Sequence, residues 1–261
     1  MRARAPFFWL TVSSAAVVMA FILLPLIQLM TAPSAQMLKQ TVLDRDVLRS
    51  IWLSVYTAGS AALICFLFGT PLAYLLARTR FPGKRVVESV IDLPIVIPHP
   101  VVGIAILGVA GKAHPIGQLL HALGIRLMGT VGGIITVLVF VGLPFFVNSA
   151  KEGFEKVPPR LERVSRSLGA SMGATFFKVT FPLAWRSILV GFVMACARAI
   201  SEFGAVVIVA YHPMIAPVMI YERFEAFGLK YSQPVAFWLV FCCLVLFVTV
   251  RTLSIKEKET E

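Results

Sequence analysis

Charge is scarce in this chain, and acidic charge scarcest of all. Of 261 residues only 14% are Asp, Glu, Lys or Arg, and thirteen are acidic. A soluble domain carries about 25% charged residues, so the composition excludes an ordinary soluble fold. Cysteine is also sparse. Cys65, Cys196, Cys242 and Cys243 all lie inside apolar runs and none has metal-ligand spacing. The adjacent Cys242–Cys243 is not a usual metal or redox pair, and the four are read as small buried hydrophobes. No Gly-rich phosphate loop closed by Lys-Ser/Thr is present, so the chain does not hydrolyse ATP by itself. No His-Glu-x-x-His, no membrane Ser/His pair and no paired Asp appear, which argues against an intramembrane enzyme. No internal repeat is visible either, which argues against a secondary transporter with its own coupling site.

What is abundant is apolar sequence, 58% of the chain. Six runs have lengths near the 17–25 residues that cross a bilayer: about 7–30, 51–77, 88–111, 131–150, 187–211 and 234–251. They predict an all-α integral membrane protein of six transmembrane helices, forming one domain over 1–261. The first run is too long for a signal-peptide core and is read as an uncleaved span, with Pro25 a possible kink site. The charged tail is too short for a further domain. The net charge of +11 could point to nucleic acid, but the cations sit in short loops rather than on one stripe. Sixteen Lys/Arg fall in the N-terminal start, the 78–85 turn, the 151–186 segment and the tail. Seven fall in the alternate loops, 31–50, 112–130 and 212–230. That asymmetry places both termini in the cytoplasm of a multi-pass cell-membrane protein. Lipid, and no nucleic acid, is the implied surrounding.

The organising stretch is 158–182, the longest polar interruption. Leu161, Val164 and Leu168 recur at helical spacing, while Arg160, Glu162, Arg163 and Arg166 crowd the other faces. Pro158 and Pro159 suit a first helical turn, and Gly169 suits a helix end. The 151–186 loop therefore reads as a helix–turn–helix knuckle at a membrane surface. It is either an interfacial helix or a docking surface for a soluble protein.

Two spans carry chemistry. In the third, Pro94, Pro98 and Pro100 cannot all sit in a regular helix. The segment is either a boundary loop or a broken helix lining a cavity, with His99 either solvated or lining the path. In the fifth, Arg198 and Glu202 lie one helical turn apart. Ionisable groups at that depth face a bundle interior or a watery path. The pair is a brace, a pathway or gate element, or both; Phe203 follows directly.

Gly169 and the hydrophobic-x-hydrophobic-Pro ending of Val179, Phe181 and Pro182 resemble the cytoplasmic loop of ABC importer permeases. Arg163, Val164 and Ser165 stand where that family carries Glu-Ala-Ala, and Glu162 is one residue early. The runs RSLGAS (166–171), ARAISEFGAVVIVAY (197–211), HPMIAPVMIYERF (212–224), GTPLAYLLARTRFPGK (69–84) and DLPIVIPH (92–99) resemble molybdate/tungstate permeases. The SEFGAV run is shared with sulfate/thiosulfate permeases, which stay an alternative. The resemblance implies a type I ABC importer permease fold with a cytoplasmic coupling helix. It implies contact of Leu161, Glu162, Arg163, Arg166, Leu168, Gly169, Ala170 and Ser171 with an ATP-binding cassette subunit. ATP and Mg would be bound there, and no cofactor by this chain. It further implies a homodimer and an external oxyanion-binding protein; the candidate path or gate residues, read from the two spans above, are Pro98, His99, Arg198, Glu202 and Phe203. The implied cycle is a flip from inward- to outward-facing as ATP closes the nucleotide-binding dimer.

Overall fold

The computed structural model describes residues 4–256. Arg2 of the basic start and Lys258 of the tail lie outside them. Among the described residues every regular element is helical. α1 (Arg4–Thr31) continues through Pro25 and is exposed along its apolar length. α2 (Ala35–Leu43) and α3 (Arg45–Arg78) follow with hardly a break. α4 (Lys84–Val96) and α5 (His99–Ala110) meet at a bend of 114°. α6 (Pro115–Ala122) precedes α7 (Val131–Lys156). Then come α8 (Pro159–Ser167), α9 (Met172–Thr175), a π-helical turn over Phe176–Thr180, and α10 (Phe181–Ile200). α11 (Gly204–Val209), α12 (Ala216–Phe227) and α13 (Leu229–Lys256) complete the chain.

Four of these helical stretches, from α1, α3, α7 and α9–α10, are long and apolar enough to cross a membrane. The bent pair α4–α5 makes a fifth if counted as one span, and the apolar stretch Leu229–Val245 of α13 is shorter. The molecule is thus a multi-pass membrane protein. α3, with 34 residues, is about 51 Å long at 1.5 Å per residue, and so outruns a bilayer core. Its surplus length carries the Asp44 end on one side and Arg78 on the other.

Three segments expected as loops contain helices, and local capping explains two of them. Ser34 Oγ accepts the Met37 N–H that opens α2. Asp44 closes α2 and opens α3, its Oδ1 accepting from Asp46 N at 2.9 Å. His114 Nδ1 accepts from Ile116 N to open α6. α12 instead begins with Pro217 in its first turn and ends at Gly228, whose φ of 80° admits glycine without strain.

α3, α7 and α10 pack together as the centre. Small residues let the backbones approach, as membrane helices require. A Cβ on Gly191 of α10 would lie 2.9 Å from the Phe146 carbonyl oxygen of α7. At the Asp44 end, α12 folds back on α3. Arg223 Nη2 donates to Asp44 Oδ2 at 2.6 Å, and Ala216 N donates to Ser54 Oγ at 2.8 Å. A cavity of about 410 Å³ opens beside them, lined by Arg49, His212, Glu222 and Arg223 among others.

Partial burial pushes the Asp44 carboxyl up. The Arg223 hydrogen bond, the Asp46 N–H and the Arg223 charge outweigh it and hold the group below its ordinary 3.8. A lowered folded value means that this carboxylate adds stability fully above the unfolded pKa, and that the gain disappears as pH falls through the folded one. The stability gap between wild type and Asp44→Asn is therefore expected to stay constant above about pH 5 and to close on acidification below 3.8. Thermal melts across that range check it.

Candidate functional site

The two chemically marked spans are both broken, and their breaks meet. In the third, Pro98 cannot continue the α4 ladder and forces Ile97 before it into an extended conformation, φ −69° and ψ 132°. Pro100 is tolerated in the first turn of α5. In the fifth, the predicted continuous helix over 187–211 is not formed. α10 stops at Ile200, residues 201–203 form a turn, and α11 restarts at Gly204. The restarted helix packs closely on α5. A Cβ on Gly204 would stand 3.0 Å from His99 Cβ, and one on Gly103 would stand 2.8 Å from the Ala205 carbonyl oxygen.

Pro98, His99, Arg198, Glu202 and Phe203, the candidate path or gate residues, all lie at this junction. Glu202 is 1% exposed and carries three donors or cations. Its Oε2 lies 2.7 Å from Arg198 Nη2 and 3.0 Å from His99 Nδ1, and its Oε1 accepts from Ala205 N at 3.0 Å. Arg198 Nη2 also lies 2.8 Å from His99 Nδ1, and Nη1 reaches Ser201 Oγ at 3.4 Å. The Arg198 side chain is 18% exposed and that of His99 46%. Pro98 caps α5, and the Phe203 ring packs on Tyr221 of α12, centroids 4.9 Å apart. The Arg198–Glu202 pair is satisfied internally, and the His99 ring beside it is half-exposed. Among the described residues no three His, Cys, Asp or Glu side chains converge as metal ligands would.

The knuckle is the second site. α8 buries none of its residues, and Leu161, Val164 and Leu168 are exposed, Leu168 at 84%. Gly169 takes φ 90° to turn the chain out of α8. Ala170 is half-buried, and Ser171 caps α9 through Ala174 N at 3.2 Å. Arg163 and Arg166 are exposed. Of the charged residues of α8, Glu162 is the one that turns inward. Its Oε1 accepts from Arg78 Nε and from Thr180 Oγ1, each at 2.8 Å, while Arg78 Nη2 donates to the Val157 carbonyl at 3.0 Å. Ser165 and Thr175 hydroxyls pair at 3.1 Å. Beside them Tyr74, Phe154, Phe176 and Phe181 pack into one aromatic cluster, Tyr74 edge to face with Phe154 and Phe176 and the other pairs tilted. The sequence reading missed Arg78, Thr180 and this cluster. Arg78 is visible there only as one cation of a basic turn.

A family model described as the binding-protein-dependent transport system inner membrane component matches residues 69–256. The chain belongs to that family. It is 45% identical over 240 residues, 91% of both chains, to a protein of Pyrococcus furiosus named as a molybdate/tungstate transport system permease protein. A Haloferax volcanii protein named as a probable molybdenum ABC transporter permease is 38% identical over 88% of this chain and 84% of its own. A probable sulfate transport system permease of Chlorokybus atmophyticus is 34% identical, covering 79% and 74%. In fold, the chain is similar to one in a bacterial ABC transporter that imports alginate, with TM-score 0.78, 16% identity and coverage of 97% and 96%. It is also similar to one in the inward-facing MetNI methionine ABC transporter, with TM-score 0.65, 17% identity and coverage of 80% and 94%. The α-helical permease fold expected from the sequence is therefore present.

Proposed function

We propose that this chain is the permease subunit of an ATP-driven ABC importer for molybdate or tungstate. The carrying observation is the 45% identity, over nine-tenths of both chains, to a relative named for molybdate/tungstate transport. Sulfate is the second reading, supported by relatives of lower identity and coverage. In this proposal six helices cross the cell membrane, α13 supplying the sixth, with both termini cytoplasmic. Two copies form the path, an external oxyanion-binding protein delivers the anion, and ATP-binding subunits that hold ATP and Mg dock on the knuckle. Its exposed Leu161, Val164 and Leu168, flanked by Arg163 and Arg166, offer an apolar ridge with a basic rim. Ala170 and Ser171 close the same surface. Glu162 serves that surface from behind, tying α8 to α3 rather than touching the partner.

The mechanism follows from rigidity. Closure of the ATP-bound subunits would push α8. The Glu162–Arg78 pair and the aromatic cluster would pass the movement to α3 and α7 as a rigid-body shift. The junction of Pro98, His99, Arg198, Glu202 and Phe203 is the gate in this reading, because broken helices can separate at their ends without losing ladder hydrogen bonds.

The test is uptake by proteoliposomes holding the permease with its co-purified ATP-binding subunit and binding protein. ATP-dependent molybdate uptake, blocked by excess tungstate and not by equal sulfate, is expected. Preferential block by sulfate would move the assignment to the sulfate class. Uptake driven by an ion gradient without ATP would overturn the ABC reading.

A further inference from the structure

We infer that Arg198 is the oxyanion contact inside the membrane path, and that His99 takes over Arg198's place on Glu202 while the anion passes. The inference deepens the permease reading and rests on it.

Three observations carry it. First, Arg198 is the one Lys or Arg inside an apolar run, Arg251 marking the end of the last. A tetrahedral dianion entering a low-dielectric path needs a cation with directed N–H donors, and a planar guanidinium supplies them in pairs. Second, Glu202 has a surplus of partners. Arg198, His99 and the Ala205 N–H all lie within 3.0 Å of its two oxygens. Losing Arg198 would leave the buried carboxylate with two partners rather than none, which avoids the usual cost of an orphaned buried charge. Third, His99 Nδ1 stands 2.8 Å from Arg198 Nη2 and 3.0 Å from Glu202 Oε2. In neutral imidazole one nitrogen either accepts or donates. Nδ1 can therefore donate to Glu202 while Nε2, 3.1 Å from the same Arg198 nitrogen, is left as the acceptor.

The exchange needs no movement of Glu202, because the Ala205 N–H holds its other oxygen. With the proton on Nε2, Nδ1 accepts from Arg198 and the guanidinium is locked between ring and carboxylate. With the proton on Nδ1, the ring donates to Glu202, so the carboxylate keeps a partner when the guanidinium turns to the anion. The half-exposed ring can pass that proton through solvent. Glu202 is then a parking place for Arg198, and His99 a positioning residue.

Neutral pair replacement separates this from simple bracing. The assembled permease, ATP-binding subunit and binding protein are reconstituted with Arg198→Gln, Arg198→Gln/Glu202→Gln and Arg198→Lys. Molybdate uptake and ATP hydrolysis are measured together. The expected result is a fall of at least about tenfold in uptake per ATP for the single and the double variant, with Arg198→Lys between them and wild type. A ten-fold loss corresponds to one lost contact of moderate strength. Should Arg198→Gln fail to assemble, the double variant, which leaves no unpaired charge, and the lysine variant decide. Wild-type uptake in the double variant would overturn the inference, since a neutral pair can brace but cannot hold an anion. Absence of uptake by the wild-type complex would instead count against the permease reading itself.

Discussion

Glu162→Ala is expected to destabilise the solubilised protein by about 3 kcal/mol, because it strands the Arg78 guanidinium at the base of the knuckle. The two side chains are 13% and 14% exposed. Arg78 would keep only the Val157 carbonyl, and Thr180 Oγ1 would lose its carboxylate acceptor. The Lys156–Glu152 pair, 3.0 Å long but two-thirds exposed on both sides, is the control. Removing it is expected to change stability by no more than about 0.5 kcal/mol. Thermal unfolding followed by tryptophan fluorescence reads both. Arg78→Ala/Glu162→Ala is expected to recover part of the loss, since the stranded charge is gone; an additive double variant would show that the pair is not coupled. If the knuckle is the lever, the single variant also loses coupling: ATP hydrolysis persists while uptake falls. Hydrolysis and uptake falling together would locate the fault in docking instead.

Glu162 also shows where sequence reading reaches its limit. Its helix, its cap prolines and its exposed apolar ridge follow from local pattern, and the structure has all of them. Its direction does not, because that depends on Arg78, 84 residues earlier. The fifth span repeats the lesson. Arg198 and Glu202 are visible as partners because spacing within a helix is local. The break at 201–203 is not visible, because the close packing of Gly103 and His99 on α11 that accompanies it joins residues about a hundred positions apart. The bend of the third span was legible as one of two readings, since three prolines in seven residues leave few ways to run. The helices inside the expected loops were marked only weakly, by Ser34 and Asp44 at cap positions.

Phe154→Ala is the substitution expected to cost most in the bundle, about 3–5 kcal/mol. Phe154 is fully buried at the knuckle end of α7. Its ring meets Tyr74 of α3 edge to face at 5.5 Å and Phe176 of the π-helical turn at 6.0 Å. Within lipid the loss is not one of water exclusion, since tails are as apolar as the ring; it is lost packing, which dominates helix association there. A cavity under the π-helical turn would let Phe176–Thr180 settle against α3 and α7, and so slacken the one covalent route from α8 into α10. Phe154→Leu fills most of the volume and is expected to recover more than half of the stability. The functional readout follows the same order: uptake per ATP falls in the alanine variant and returns largely with leucine. Equal loss in both would show that the aromatic edge contacts, rather than the filled volume, stiffen the lever.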